Sequence, residues 1–243
     1  LHCRRRRNDQ GCDRSKVHLW QGSGLSKLRT ILKKKMEKND DIDCLLPTNG
    51  FKTYCVDTNA IEYHAVEETP NVAVKWIKNI KTVSLEEIRN KISKNGAINP
   101  ITIDRIYYIN LEKNNIRRQG MDFMLQQQSI PYKRIPARIG VTDQCIERLG
   151  LERKNNTNKC RGMSGLARTL VGMLDEENTT GLSLVLEDDL MLTDPGLQRL
   201  QESLKMVPSD WEHIRFDCWG TDAVKMKRVN DYVIDTRQVS STA

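Results

Sequence analysis

Residues 182–189 read Leu182-Ser183-Leu184-Val185-Leu186-Glu187-Asp188-Asp189, an apolar run that ends abruptly in three carboxylates. A nearly all-apolar stretch opened by Gly181 predicts a strand covered on both faces, as in the middle of a parallel sheet. Its carboxyl end is where open α/β sheets bind their ligands. Adjacent carboxylates repel and raise one another's pKa, and a divalent cation relieves that repulsion. Their hard oxygens suit Mg²⁺ or Mn²⁺. Glu187 and Asp189, two residues apart, are expected to converge on one ion, with Asp188 turned to the opposite side of the extended segment. The plainer alternative is a solvated acidic turn leading into a helix.

Working outward, Ile103 to Ile109 predicts a buried strand rich in β-branched and aromatic residues, ended by Asn110. A helix is expected over 115–128, with Ile116, Phe123 and Met124 on one face, until Pro131 breaks it. Tyr132-Lys133-Arg134-Ile135 gives a second strand, and strand–helix–strand is the unit of a parallel sheet. A polar loop is expected over 150–160, then a helix over 164–178 and the strand quoted above. Asp194-Pro195 caps a further helix ending near Val207, and Trp211 to Phe216 reads as one more strand. Ahead of this region, Ser84 and Glu87 form a capping box for a helix carrying Leu85, Ile88 and Ile92. Tyr54-Cys55-Val56 and Val72 to Ile77 suggest short strands. The fold class is therefore an α/β sandwich.

The 243 residues suffice for one domain with extensions. Of the net charge of +7, residues 1–50 carry nearly all, with twelve Lys/Arg against six Asp/Glu. Residues 1–50 are thus expected to be a basic, flexible or stalk-like extension, in which Leu25, Leu28, Ile31, Leu32 and Met36 stand at helical spacing. Residues 51–100 read as a lead-in of mixed α and β structure, and 101–243 as the main domain. The basic charge lacks aromatic interleaving, and no helix-turn-helix or zinc spacing occurs, which argues against nucleic acid as a partner. No run approaches the roughly 18 apolar residues of a membrane span. Seven cysteines without a Cys-x-x-Cys pair leave disulfides open and a zinc site unsupported. The sequons at Asn155 and Asn178 favour a secretory route weakly.

Taken together, these segments resemble glycosyltransferase family 25, the lipooligosaccharide and collagen galactosyltransferases. The matching pieces are Ile106 to Leu111 followed by Arg117, Arg118 and Met121; Ile130 to Ala137; Gly162 to Leu174; Leu184 to Asp189; and Asp210 to Ile214. They keep order and spacing over about half the chain. The resemblance implies a GT-A-like, Rossmann-type α/β/α sandwich, incomplete at its C-terminus. It also implies metal-assisted transfer of a hexose, most often galactose, from a UDP-sugar to a hydroxyl of a glycan, lipid-linked sugar or protein. By analogy Asn110, Arg117 and Arg118 lie by the nucleotide. Glu187, Asp188 and Asp189 form the acidic motif, with Glu187 and Asp189 as the ligands of Mn²⁺ or Mg²⁺.

The family's helix carries a Ser-His pair where this chain has Thr169-Leu170. A membrane anchor ahead of Leu1 and the family's acceptor-side portion beyond Ala243 are expected. No catalytic base can be named here; Asp217 and Asp222 are the nearest downstream carboxylates. The expected compartment is the ER or Golgi lumen for a eukaryotic chain, and the cytoplasm or inner membrane for a bacterial one. The competing reading is a non-catalytic domain that binds a nucleotide sugar or acts as a scaffold.

Overall fold

The computed structural model describes residues 17–35, 46, 49–56, 61–63, 102–128, 130–140, 153–177, 180–192, 196–216 and 227–236. Its elements in chain order are β1 (Val17–Gln21), α1 (Gly22–Lys35), β2 (Thr53–Val56), β3 (Ile61–Tyr63), β4 (Arg105–Asn110), α2 (Asn115–Gln126), β5 (Tyr132–Pro136) and α3 (Arg153–Glu176). There follow β6 (Leu182–Glu187), β7 (Leu190–Leu192), α4 (Gly196–Ser203) with a 3-10 turn at Leu204–Met206, β8 (His213–Phe216), β9 (Lys227–Arg228) and β10 (Val233–Asp235). Eight strands form one sheet in the order β5-β4-β6-β1-β8-β2-β10-β9, and β3 pairs with β7 separately. Within the large sheet β1 and β10 run against all the others. The chain is α/β with a mixed sheet.

Strand alternation sends two sets of side chains to two layers. Leu19, Tyr54, Ile106, Tyr108, Leu184, Leu186, Ile214 and Phe216 form one core, under Met121 and Leu125 of α2 and Leu197 and Leu200 of α4. Trp20, Tyr107, Ile109 and Val185 form the other, under Leu25, Leu28 and Leu32 of α1 and Leu170, Val171 and Leu174 of α3. Each such aliphatic side chain contributes about 1.5–3 kcal/mol when taken out of water. That outweighs the poor helix propensity of the Gly22-Ser23-Gly24 start of α1.

Four expectations change. Residues 17–35 are not part of a flexible extension: β1 lies between β6 and β8, and α1 packs beside α3. The reason is the alternation Val17-His18-Leu19-Trp20, short and set between Lys16 and Gln21, which buries Val17 and Leu19 on one face and Trp20 on the other. Nor is β2 part of a separate lead-in, since it pairs in parallel with β8. In α2 the inner residues are Met121 and Leu125; Ile116 and Phe123 are 86% and 69% exposed. Only Met124 of the expected apolar face packs against the core. Finally, α3 begins at Arg153, inside the expected polar loop. The expected helix at 84–95, the strand at 72–77 and the Asp194-Pro195 cap lie outside the described residues.

Glu212 ties the β1–α1 corner to the sheet. Its carboxylate accepts from Lys27 Nζ (3.0 Å) and from the Lys52 backbone N–H (2.9 Å), and its carbonyl accepts from Gln21 N–H (3.2 Å). A Cβ on Gly24 would stand 2.4 Å from the Glu212 carbonyl oxygen, so only glycine lets α1 approach this closely. Nearby, Asp210 accepts from Tyr54 Oη at 3.1 Å and Trp211 fills the core.

Candidate functional site at the β4–β6 crevice

From β4 the chain crosses through α2 on one face to β5, then returns through α3 on the other face to β6, on the far side of β4. The winding direction therefore reverses between β4 and β6. In open α/β sheets a reversal of this kind leaves a crevice at the carboxyl ends of the two strands, and ligands bind there. Those ends are Asn110 and Glu187, with Ile109 in register with Glu187.

Asn110 is buried and uses both ends of its amide. Its Nδ2 donates to Asp188 Oδ2 (2.6 Å) and to the Asn114 carbonyl (3.2 Å), while its Oδ1 accepts from Arg134 Nε (3.0 Å). Arg117 Nη1 reaches Asp188 Oδ1 at 3.2 Å. Arg134 Nη2 donates to Glu112 Oε2 at 2.6 Å, and Arg118 Nη1 stands 3.9 Å from Glu112 Oε1. One connected chain results: Arg117, Asp188, Asn110, Arg134, Glu112, Arg118. The hydrogen bond and charge of Arg134 hold the Glu112 carboxyl below its ordinary pKa. Asn114 caps α2 without a side-chain bond to the helix, so the positive end of α2 opens beside this chain.

The structure brings Asn110, Arg117 and Asp188 into contact and links Arg118 to them only through Glu112 and Arg134. Asp188 faces Asn110 and Arg117, and both of its oxygens are engaged. Glu187 is half-buried at the end of β6, and Asp189 is 8% exposed in the turn that follows. Among the described residues no three His, Cys, Asp or Glu side chains are grouped as a metal-binding cluster. Two carboxylates nonetheless suffice for Mg²⁺ when phosphate oxygens and water complete its shell. The carboxylate oxygens of Glu187 and Asp189 are hard donors of the type such a cation takes.

Sequence reading missed Arg134 and Glu112. Arg134 sits opposite Tyr108 in the register, on the same face as Asn110, a relation that only strand pairing reveals. Thr169, where the resembling family has Ser-His, is buried in α3. Its Oγ1 donates to the Gly165 carbonyl (2.7 Å) and accepts from Arg138 N–H (2.8 Å), fixing the segment that leaves β5. A Cβ on Gly165 would lie 2.6 Å from the Arg138 carbonyl oxygen.

Other features lie away from the crevice. His213 is buried, stacked 3.9 Å from Trp20 and hydrogen-bonded through Nε2 to His18 Nδ1 at 3.0 Å. Burial, reinforced by His18 and Arg215, pushes its pKa well below the ordinary histidine value. Cys55, on β2, is disulfide-bonded. A hollow of about 400 Å³ lined by Gln21, Ser23, Ser26, Thr180 and Leu182 opens at the opposite edge of the sheet, where Gln21 pairs with Leu182. No ionisable group lines it, so it is not the site of the chemistry expected of the acidic motif. Among the described residues no helix is long and apolar enough to cross a membrane. Comparison with protein-family models, with curated proteins and with solved structures found no match to this chain.

Proposed function

We propose that the chain is the donor-binding part of a GT-A-type glycosyltransferase that moves a hexose, galactose in the first instance, from a UDP-sugar to a hydroxyl acceptor. The observation that carries this reading is the Asn110–Asp188–Arg117 contact at the β4–β6 reversal. It joins the acidic motif to the Asn110–Arg117 segment, the other matched piece at this end of the sheet. Arg117 and Arg134 supply guanidinium groups suited to diphosphate oxygens. Glu187 and Asp189 would hold Mn²⁺ or Mg²⁺, which when bound neutralises charge on the departing nucleoside diphosphate. Asn110 keeps Asp188 and Arg134 in register with one another. The disulfide at Cys55 supports an oxidising compartment such as the secretory lumen.

Titration calorimetry with UDP-galactose, with and without Mn²⁺, tests the reading. Metal-dependent binding that Asp189→Asn abolishes is the expected result; binding indifferent to metal and to Asp189 sinks it. A second reading is a domain that binds the donor and transfers nothing. It is favoured by Thr169, whose hydroxyl is committed to Gly165 and Arg138 and which offers no imidazole. Release of galactose from UDP-galactose, or its transfer, separates the two.

A further inference from the structure

Glu112 is 76% exposed at the side chain, yet it holds two guanidinium groups that border the crevice, Arg134 at 2.6 Å and Arg118 at 3.9 Å. Solvated carboxylates seldom gain from such contacts, because ordering long side chains offsets most of the attraction. The geometry is that of a carboxylate bound as a ligand: two oxygens, each toward a different arginine, at the open positive end of α2. Behind it, Arg134 is fixed by the buried amide of Asn110, so its guanidinium does not depend on Glu112 for its position. Arg117 is likewise fixed from Asp188. Arg134 and Arg117 are thus held by Asn110 and Asp188, and Glu112 is the exposed partner of Arg134 and Arg118.

We propose that Glu112 is an internal stand-in for a phosphate group: it occupies an anion site made by Arg134 and Arg118, and a diphosphate-bearing ligand enters by displacing it. The inference rests on the donor-binding reading in placing the phosphates of that ligand here. Glu112 lies in the turn between β4 and α2, beyond the last paired residue of β4, where a side-chain rotation releases it without disturbing the sheet. Emptying the site by displacement has two consequences. Ligand affinity is lowered by competition, and the arginines are kept from binding arbitrary anions at low concentration. Neutralising Glu112 removes the competitor and leaves the site standing.

The test uses the full chain and inorganic pyrophosphate, UDP and UDP-galactose as separate probes in titration calorimetry at fixed ionic strength. Glu112→Gln is expected to bind pyrophosphate and UDP about fivefold more tightly than the parent chain. Arg134→Gln is expected to weaken both by about tenfold and to cancel the gain when combined with Glu112→Gln. Arg118→Gln, on the exposed side of α2, gives a smaller loss of the same sign and serves if Arg134→Gln does not fold. Unchanged or weaker pyrophosphate binding by a folded Glu112→Gln overturns the proposal, as does a gain that survives loss of Arg134. If pyrophosphate shows the gain while UDP-galactose is not bound, the anion site stands and the glycosyltransferase reading falls.

Discussion

Asn110 and Asp188 are 78 positions apart in the chain, and their side chains meet at 2.6 Å. The bond bridges the two strands at which the sheet reverses direction. Removing the amide in Asn110→Ala deprives Asp188 and Arg134 of a buried partner at once. A loss of about 2 kcal/mol is expected, read as a lower urea midpoint with an unchanged slope. Affinity for UDP should fall with it. A variant that keeps both parental stability and parental UDP affinity would show that the contact organises nothing.

Two glycines in helices should answer oppositely to alanine. Gly24→Ala forces a methyl to 2.4 Å from the Glu212 carbonyl, and α1 must lift from the sheet. About 1–3 kcal/mol of destabilisation is expected. Gly120, inside α2, has open space around its would-be Cβ, and Gly120→Ala should raise stability by about 0.5–1 kcal/mol through helix propensity. Thermal melts of the two single variants check both signs.

Acid should act through His213. Its pKa is depressed in the folded chain by burial, then by His18 and Arg215, so the neutral ring is the native form. The folded state then binds fewer protons than the unfolded one. The stability is fully present above the unfolded value of 6.5 and is lost as pH falls through the folded pKa. His213→Phe, which retains a ring against Trp20, should flatten the stability profile below pH 6.5. An acid limb as steep as that of the parent would assign the effect to other groups.

Alkali should act through Tyr108. Burial raises its pKa, and so does the hydrogen bond it donates to Asp122 Oδ1 at 2.5 Å. Its contribution is complete below the unfolded pKa of 10.0 and declines as pH rises beyond it. Tyr108→Phe is expected to cost about 1 kcal/mol at neutral pH, and to lose stability less steeply above pH 10.0. Equilibrium unfolding at a series of alkaline pH values reads the difference.

The elements most legible in the sequence were those whose local pattern and tertiary fate agree. The β4–α2–β5 unit and β6 announced themselves through β-branched runs and breakers, and Asn110 and Asp188 were marked by ending them. The Asn110–Asp188 contact, however, reverses the expectation that Asp188 turns away. It sits in a turn, where the two-residue alternation of a strand no longer governs direction. The inner face of α2 was misassigned because Ile116 and Phe123 are apolar but exposed. Met121 and Leu125, one turn apart, are what the sheet meets. Arg134 and Glu112 had no local signature at all, since their meaning comes from a neighbouring strand and a neighbouring turn.

The position of β1 has a consequence in time. The first described strand to leave the ribosome is held between two strands made much later; His18 meets His213 across 195 residues. Until β6 and β8 exist, β1 has no partner in the sheet, and β5-β4-β6 cannot join β8-β2-β10-β9. Assembly must therefore wait for synthesis, with loop closure over most of the chain before the central pairing is rewarded. The sheet closes like a clasp whose pin is forged early, and β1 waits for its strand neighbours until residues 182–216 have been made.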